Sequence, residues 1–156
     1  MANMALPVSL ADVVDEMEML GEGDLRAFLN RQTAELYSGT DEQIAKAEEN
    51  DDDLLDWEVE VIDRLRDILE SPDWLELPQR NSHEDYRIME RFCRERCEGL
   101  LQEELLSAIT NRGAFGRFKD AIHRRGVQEA WYSFRRQRIE EEAREWLEAH
   151  GIAFTP

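Results

Sequence analysis

The sequence predicts an α+β, mainly helical fold: a small antiparallel β-hairpin or three-stranded sheet, about five to six helices, and a C-terminal helical bundle. Three observations predict it. Apolar residues recur at spacings of three and four along most of the chain, a hairpin-like pattern is confined to residues 25–38, and glycine or proline punctuates the stretches. A chain of 156 residues is the size of one ordinary domain, able to bury roughly 70% of its unfolded surface. A single domain over 1–156 is therefore expected, with an acidic α+β half at 1–80 and a helical half at 81–156.

The first helix follows Ser9, with Leu10, Val13, Val14, Met17 and Leu20 on one face and Asp12 at the acidic position of a capping box. The stretch Gly21 to Asp24 breaks it. Leu25 to Asn30 and Glu35 to Ser38 then flank Arg31-Gln32-Thr33-Ala34 as a hairpin, although neither arm is rich in β-branched residues. Thr40 with Gln43 caps a short helical turn, and the like-charge run Glu48 to Asp53 is expected to stay solvated.

Trp57, Val61, Ile62, Leu65, Ile68 and Leu69 form the next helical stripe, stopped by Ser71-Pro72. Trp74 to Leu77, ended by Pro78, reads as a short strand able to pair with the hairpin. Ser82 with Asp85 resembles another capping box, opening a helix with Ile88, Met89, Phe92, Cys93, Cys97 and Leu100 inward and Gly99 as its end or kink. Leu101, Leu105, Leu106 and Ile109 mark a further helix that stops at Asn111-Arg112-Gly113. Two more follow, Ala114 to Arg125 with Phe115, Phe118 and Ile122 inward, and Gln128 to His150 with Trp131, Phe134, Ile139, Ala143, Trp146 and Leu147 inward. Gly126 separates them and Gly151 closes the second.

Charge is the most unusual property of the composition. The chain is 42% hydrophobic and 35% charged, with a formal net charge of −17, which disfavours general affinity for duplex DNA or anionic membrane. Residues 1–80 hold 22 Asp/Glu against 6 Lys/Arg, a net of −16, whereas 81–156 hold 14 against 13, a net of −1. Within the second half, Arg112 to Arg138 carries 8 basic residues against Asp120 and Glu129, a net of +6. The segment MANMALPVSL has neither a basic n-region nor a long apolar h-region, and no window approaches the ~18 uninterrupted apolar residues of a membrane helix. A cytoplasmic location without membrane association is the expectation. Two cysteines are too few for a disulfide framework.

The phrase GAFGRFKDAI from Gly113, then WYSFR after Gly126 and EWLEAHGI ending at Ile152, resembles the signature of a bacterial uncharacterised protein family numbered 0158. Phe28 to Glu35 is similar to that family's extended segment ending in a Thr-Gly-Glu type turn, and Leu75-Glu76-Leu77-Pro78 to its short strand ending in proline. Ala34 stands where the family's turn usually has glycine; positive φ would cost alanine about 1 kcal/mol or more, which predicts a turn of different type. The resemblance implies a compact α+β or mainly helical domain. It implies no reaction and no catalytic residues.

Chemical constellations are sparse. Cys93 and Cys97 are i and i+4 and so share a helical face, but further ligands are missing and packed thiols are the simpler reading. Glu141, Glu145 and Glu148 share a face without the Glu-x-x-His pairs of a metal-binding bundle. No P-loop, dinucleotide glycine motif, nucleophile elbow or HExxH occurs. Gly113 and Gly116 precede a helix and offer a weak anion cradle, better read as a helix stop and restart. No cofactor, metal or catalytic residue is therefore expected, and the balance leans away from an enzyme.

Candidate anion-contacting residues remain: Arg112, Arg117, Lys119, Arg124, Arg125, Tyr132, Arg135, Arg136 and Arg138. The leading reading is a non-catalytic interaction or regulatory domain whose arginine-rich face meets an acidic protein partner. The acidic half of the chain, or of a neighbouring subunit in a homo-oligomer, is another source of carboxylates for the same arginines. Two rival readings use this face differently. It would bind single-stranded or structured nucleic acid or a phosphorylated ligand, or clamp a nucleotide or phosphorylated substrate for an enzyme.

Overall fold

The computed structural model describes residues 5–20, 24–49, 53–110 and 112–156. Expectations placed on residues 1–4, on the break at Gly21 to Gly23, on the centre of the acidic run at 50–52 and on Asn111 lie outside the described residues. Contacts divide the chain into two compact units, Met1–Gln79 with Ala143–Pro156, and Arg80–Glu142.

The first unit begins with β1 (Val8–Ser9) and α1 (Leu10–Leu20). Ser9 Oγ accepts the Asp12 backbone N–H at 3.2 Å, and Leu10, Val13, Val14, Met17 and Leu20 are buried as their spacing predicts. The hairpin follows as β2 (Leu25–Asn30) and β3 (Leu36–Thr40), and β4 (Trp74–Glu76) pairs with the other side of β2. A three-stranded antiparallel sheet of order β3-β2-β4 results.

The turn between β2 and β3 corrects the expectation at position 34. Ala34 adopts φ +66, the left-handed conformation that glycine would take, so the glycine-type backbone is retained. Asn30 imposes it. Its Oδ1 accepts the N–H groups of Gln32 at 2.8 Å and Thr33 at 3.0 Å, and its carbonyl accepts that of Ala34 at 2.9 Å.

Thr40 and Gln43 form a reciprocal capping box, and the turn predicted there extends to a full helix, α2 (Asp41–Glu48). In α3 (Asp56–Glu70) the buried face is Glu58, Ile62, Leu65 and Ile68. Trp57, expected inward, is 68% exposed. The helix is rotated because Glu58 can be satisfied inside: its carboxylate accepts Lys46 Nζ at 3.0 Å and the Leu55 N–H at 2.9 Å. Phe28, Ile44, Ala47, Ile62, Leu65 and Ile68 form the core between sheet and helices. The unit is completed by β5 (Phe154–Thr155), which pairs in parallel with β1 through Val8↔Phe154 and Ser9↔Thr155.

The second unit contains α4 (Ser82–Arg96), α5 (Gly99–Ala108), α6 (Ala114–Arg124) and the first turns of α7 (Gln128–Ala149). Seven helices are thus present among the described residues. Asn81, rather than Ser82, caps α4: its Oδ1 accepts the Glu84 N–H at 3.0 Å, leaving no capping box between Ser82 and Asp85. The core is aromatic, with Phe92 lying 5.5 Å from Trp131 and Phe118 lying 4.9 Å from Trp131, both edge-on. Edge-to-face geometry places the positive ring edge on the negative face.

Two residues predicted inside this unit are outside. Leu100 is 77% and Phe115 40% exposed. The α4 stripe cannot reach Leu100, because α4 ends at Arg96 and α5 starts anew at Gly99 with φ +64. Phe115 falls in the first turn of α6, ahead of the face formed by Phe118, Ala121 and Ile122. Trp146, in the part of α7 that belongs to the first unit, is half-buried against the His150 ring at 4.5 Å.

Candidate functional site

The candidate arginines fall into two groups with different carboxylate partners. The first borders α5 and α6, where a depression of about 360 Å³ is lined by Glu104, Ser107, Ala108, Arg117, Asp120, Ala121 and Arg124. Helical spacing builds it. Glu104, Ser107 and Ala108 project from one side of α5, Arg117, Asp120 and Arg124 from the facing side of α6, and two alanines keep the floor shallow.

Arg124 Nη2 donates to Glu104 Oε1 at 2.8 Å, and Arg125 Nε donates to the other oxygen of the same carboxylate. Hydrogen bonds from Arg124 and Arg125 hold the Glu104 carboxyl below its ordinary value, so it stays ionised. Two guanidinium groups sharing one carboxylate leave a positive charge in excess. Arg117 Nε donates to the neutral Ala108 carbonyl at 3.2 Å, at the end of α5. Arg112 and Lys119 are exposed. The lining balances Arg117 and Arg124 against Glu104 and Asp120, and Arg125, which shares the Glu104 carboxylate, brings the set to a formal +1.

The second group lies on α7. Arg135 is only 16% exposed and approaches Asp85 at 3.7 Å, while Arg138 pairs with Glu141 at 3.1 Å. Arg136 is half-buried and has partners of its own. Tyr132 is 56% exposed, one helical turn from Arg135 and Arg136. Desolvation and existing pairs make this group a structural network more than an open surface.

Its centre is a residue the sequence did not single out. The Arg80 side chain is fully buried, donating to Asp85 at 3.1 Å and to Glu142. Burial pushes the Glu142 carboxyl up despite the opposing pull of Arg80. Removing one member of such a network strands a buried charge, at a cost of roughly 3–5 kcal/mol. Glu104 was equally invisible, one acidic residue among many until folding placed it between two arginines.

Nothing in the thiols suggests chemistry. Cys93 and Cys97 are both buried, and burial, with Cys97 beside it, pushes the Cys93 thiol up to about 12. Among the described residues, no group of three or more His, Cys, Asp or Glu is placed to hold a metal ion. Nor is any described helix long and apolar enough to cross a membrane. Gly113 adopts φ +77 and its carbonyl accepts the Arg117 N–H at 3.0 Å, as a helix restart requires.

A model of the uncharacterised protein family UPF0158 matches residues 45–156. The chain belongs to this family. The matched span contains every candidate arginine, α3 and the whole second unit, while the β2–β3 hairpin precedes it. No curated protein matches the chain, and no solved structure does. UPF0158 membership carries no activity with it, so a functional reading must rest on this chain's own geometry.

Proposed function

We propose that the protein is a non-catalytic interaction or regulatory domain whose second unit receives an acidic protein segment in the groove between α5 and α6. One observation carries this reading: Arg117 and Arg124 line a shallow, alanine-floored depression with Glu104 and Asp120, and Arg125 joins Arg124 on the Glu104 carboxylate, so that three arginines meet two carboxylates. Glu104 already shows what the arginines accept. An incoming carboxylate can join it or replace it, in charge-assisted hydrogen bonds stronger than those between neutral groups.

A folded acidic partner fits better than a nucleic acid. Of the aromatic residues on α6 and α7 that a single strand could stack on, Phe118, Trp131 and Phe134 are buried, which leaves only Phe115 and Tyr132 exposed among them. A polyphosphate would also extend its charge past the groove toward a chain of net −17.

Fluorescence anisotropy tests this with a helical 20-residue probe carrying Leu and Trp on one face and Glu elsewhere. Replacing Arg117 and Arg124 by Gln leaves Arg125 paired to Glu104 and should weaken binding about tenfold or more. No binding at either about 0.01 M or about 0.15 M salt, or equal affinity of the variant, overturns the reading. A 20-nucleotide single-stranded RNA that binds more tightly than the peptide, with a steep salt dependence, moves the assignment to nucleic acid.

A further inference from the structure

The first unit presents a surface of complementary character. In the segment entering α3, Leu55 is 59%, Trp57 68% and Val59 40% exposed, and Asp53, Asp56 and Glu60 are exposed among them. Three large apolar side chains within five residues are more than the isolated exposed hydrophobics of an ordinary surface. Tryptophan is the residue most enriched where interfaces concentrate their binding energy. Rotation of α3 about the buried Glu58 is what turns Trp57 outward. The surface follows from the ion pair beneath it.

Charge indicates what covers this segment. The first unit holds 24 Asp/Glu against 6 Lys/Arg, a net of −18, and the second 12 against 13, a net of +1. Acidic residues framing exposed apolar ones call for a partner that is basic with an apolar contact of its own. The α5–α6 groove has both, since Leu100, 77% exposed, stands one turn before Glu104 on α5.

We propose that the occupant of the groove is the acidic Trp57 segment of a second copy of this chain. The proposal rests on the preceding reading of the groove and names its partner. Trp57 and Leu55 meet Leu100 and the alanine floor, while Asp56 and Glu60 meet Arg117 and Arg124. Two copies that exchange these segments reciprocally would form a two-fold dimer in which the contact is made twice.

Such a contact has a distinctive salt dependence. Two chains of −17 each repel at long range when the Debye length is about 30 Å, near 0.01 M salt; at about 0.15 M it falls to about 8 Å, and mainly the attractive groups in contact are felt. Self-association should therefore strengthen over that interval. A purely ionic contact between oppositely charged molecules would only weaken.

Sedimentation equilibrium of the full chain across this salt range tests it, with a dimer of twice the 18.3 kDa monomer expected. Trp57→Ala and Glu60→Lys, both at exposed positions, should each raise the dimer dissociation constant about tenfold or more. Mixing Trp57→Ala with the Arg117→Gln, Arg124→Gln variant should restore partial association that neither shows alone, because one of the two contacts survives. A chain that is monomeric at every salt concentration, or a dimer indifferent to Trp57 and Glu60, overturns the proposal. If such a chain still binds the acidic peptide probe, the groove stands and only its partner is wrong; if it binds neither, both readings fall.

Discussion

Ala34 is a point of strain whose removal should stabilise the protein. Its φ of +66 brings the β-carbon against the backbone at a cost of about 1–2 kcal/mol for an L-residue. The turn cannot relax, because Asn30 fixes it through hydrogen bonds to Gln32, Thr33 and Ala34. Ala34→Gly removes that strain but adds about 0.4–1 kcal/mol of unfolded-state entropy. The net gain is about 0.5–1 kcal/mol. With a urea m-value of about 2 kcal/mol/M, the unfolding midpoint should rise by about 0.3–0.5 M. Circular dichroism measures the midpoint, and hydrogen exchange of the β2 amides assigns the change to the first unit. Ala45→Gly, at an exposed position within α2, is the matched control and should lower stability by about 1 kcal/mol. An Ala34→Gly variant no more stable than the parent would refute the attribution of strain to this backbone conformation.

Two further outcomes follow from burial and pairing. Cys93 and Cys97 should resist a thiol-specific reagent in the native state and react once denaturant is added, since a thiol pushed up to about 12 offers almost no thiolate near neutrality; rapid labelling of the native protein would contradict the packing. Burial by itself raises the Glu76 carboxyl, but hydrogen bonds from Arg26 at 3.1 Å and Gln79 at 2.8 Å outweigh it and hold the group below its ordinary 4.5. Folded Glu76 therefore binds its proton less readily than unfolded Glu76. Its stabilising contribution is present above 4.5 and lost as pH falls through the lower folded value. Glu76→Gln should flatten the acid limb of a urea midpoint against pH profile, and an unchanged slope would count against the pair.

Elements governed by local chemistry were legible in the sequence. Thr40 with Gln43, the hairpin around Asn30 and the strand ended by Pro78 each involve residues within a few positions of one another. The α3 phase was not. Periodicity admits Trp57 to the apolar stripe and rejects Glu58, whereas the structure does the reverse because Lys46, 12 residues earlier, reaches the carboxylate. The candidate site divides in the same way. Its arginines were conspicuous as a basic run in an acidic chain, but Glu104, 20 residues from Arg124, became their partner only on folding, and Arg80, outside that run, found Glu142 62 residues away. Distinguishing the open α5–α6 groove from the closed network on α7 required those distant carboxylates.

The bond between Arg80 and Glu142 has a consequence for how the chain is made. These are the first and last residues of the second unit, so its two ends are clasped by an ion pair within the unit itself. During synthesis from the N-terminus, that loop can close as soon as residue 142 has emerged. The first unit cannot be finished so early: β1, at residues 8–9, waits for β5, at residues 154–155. Domains generally fold as units while the chain emerges, and here the interrupting unit is the one that can be completed first. β1 is left to depend on a strand made after the whole second unit.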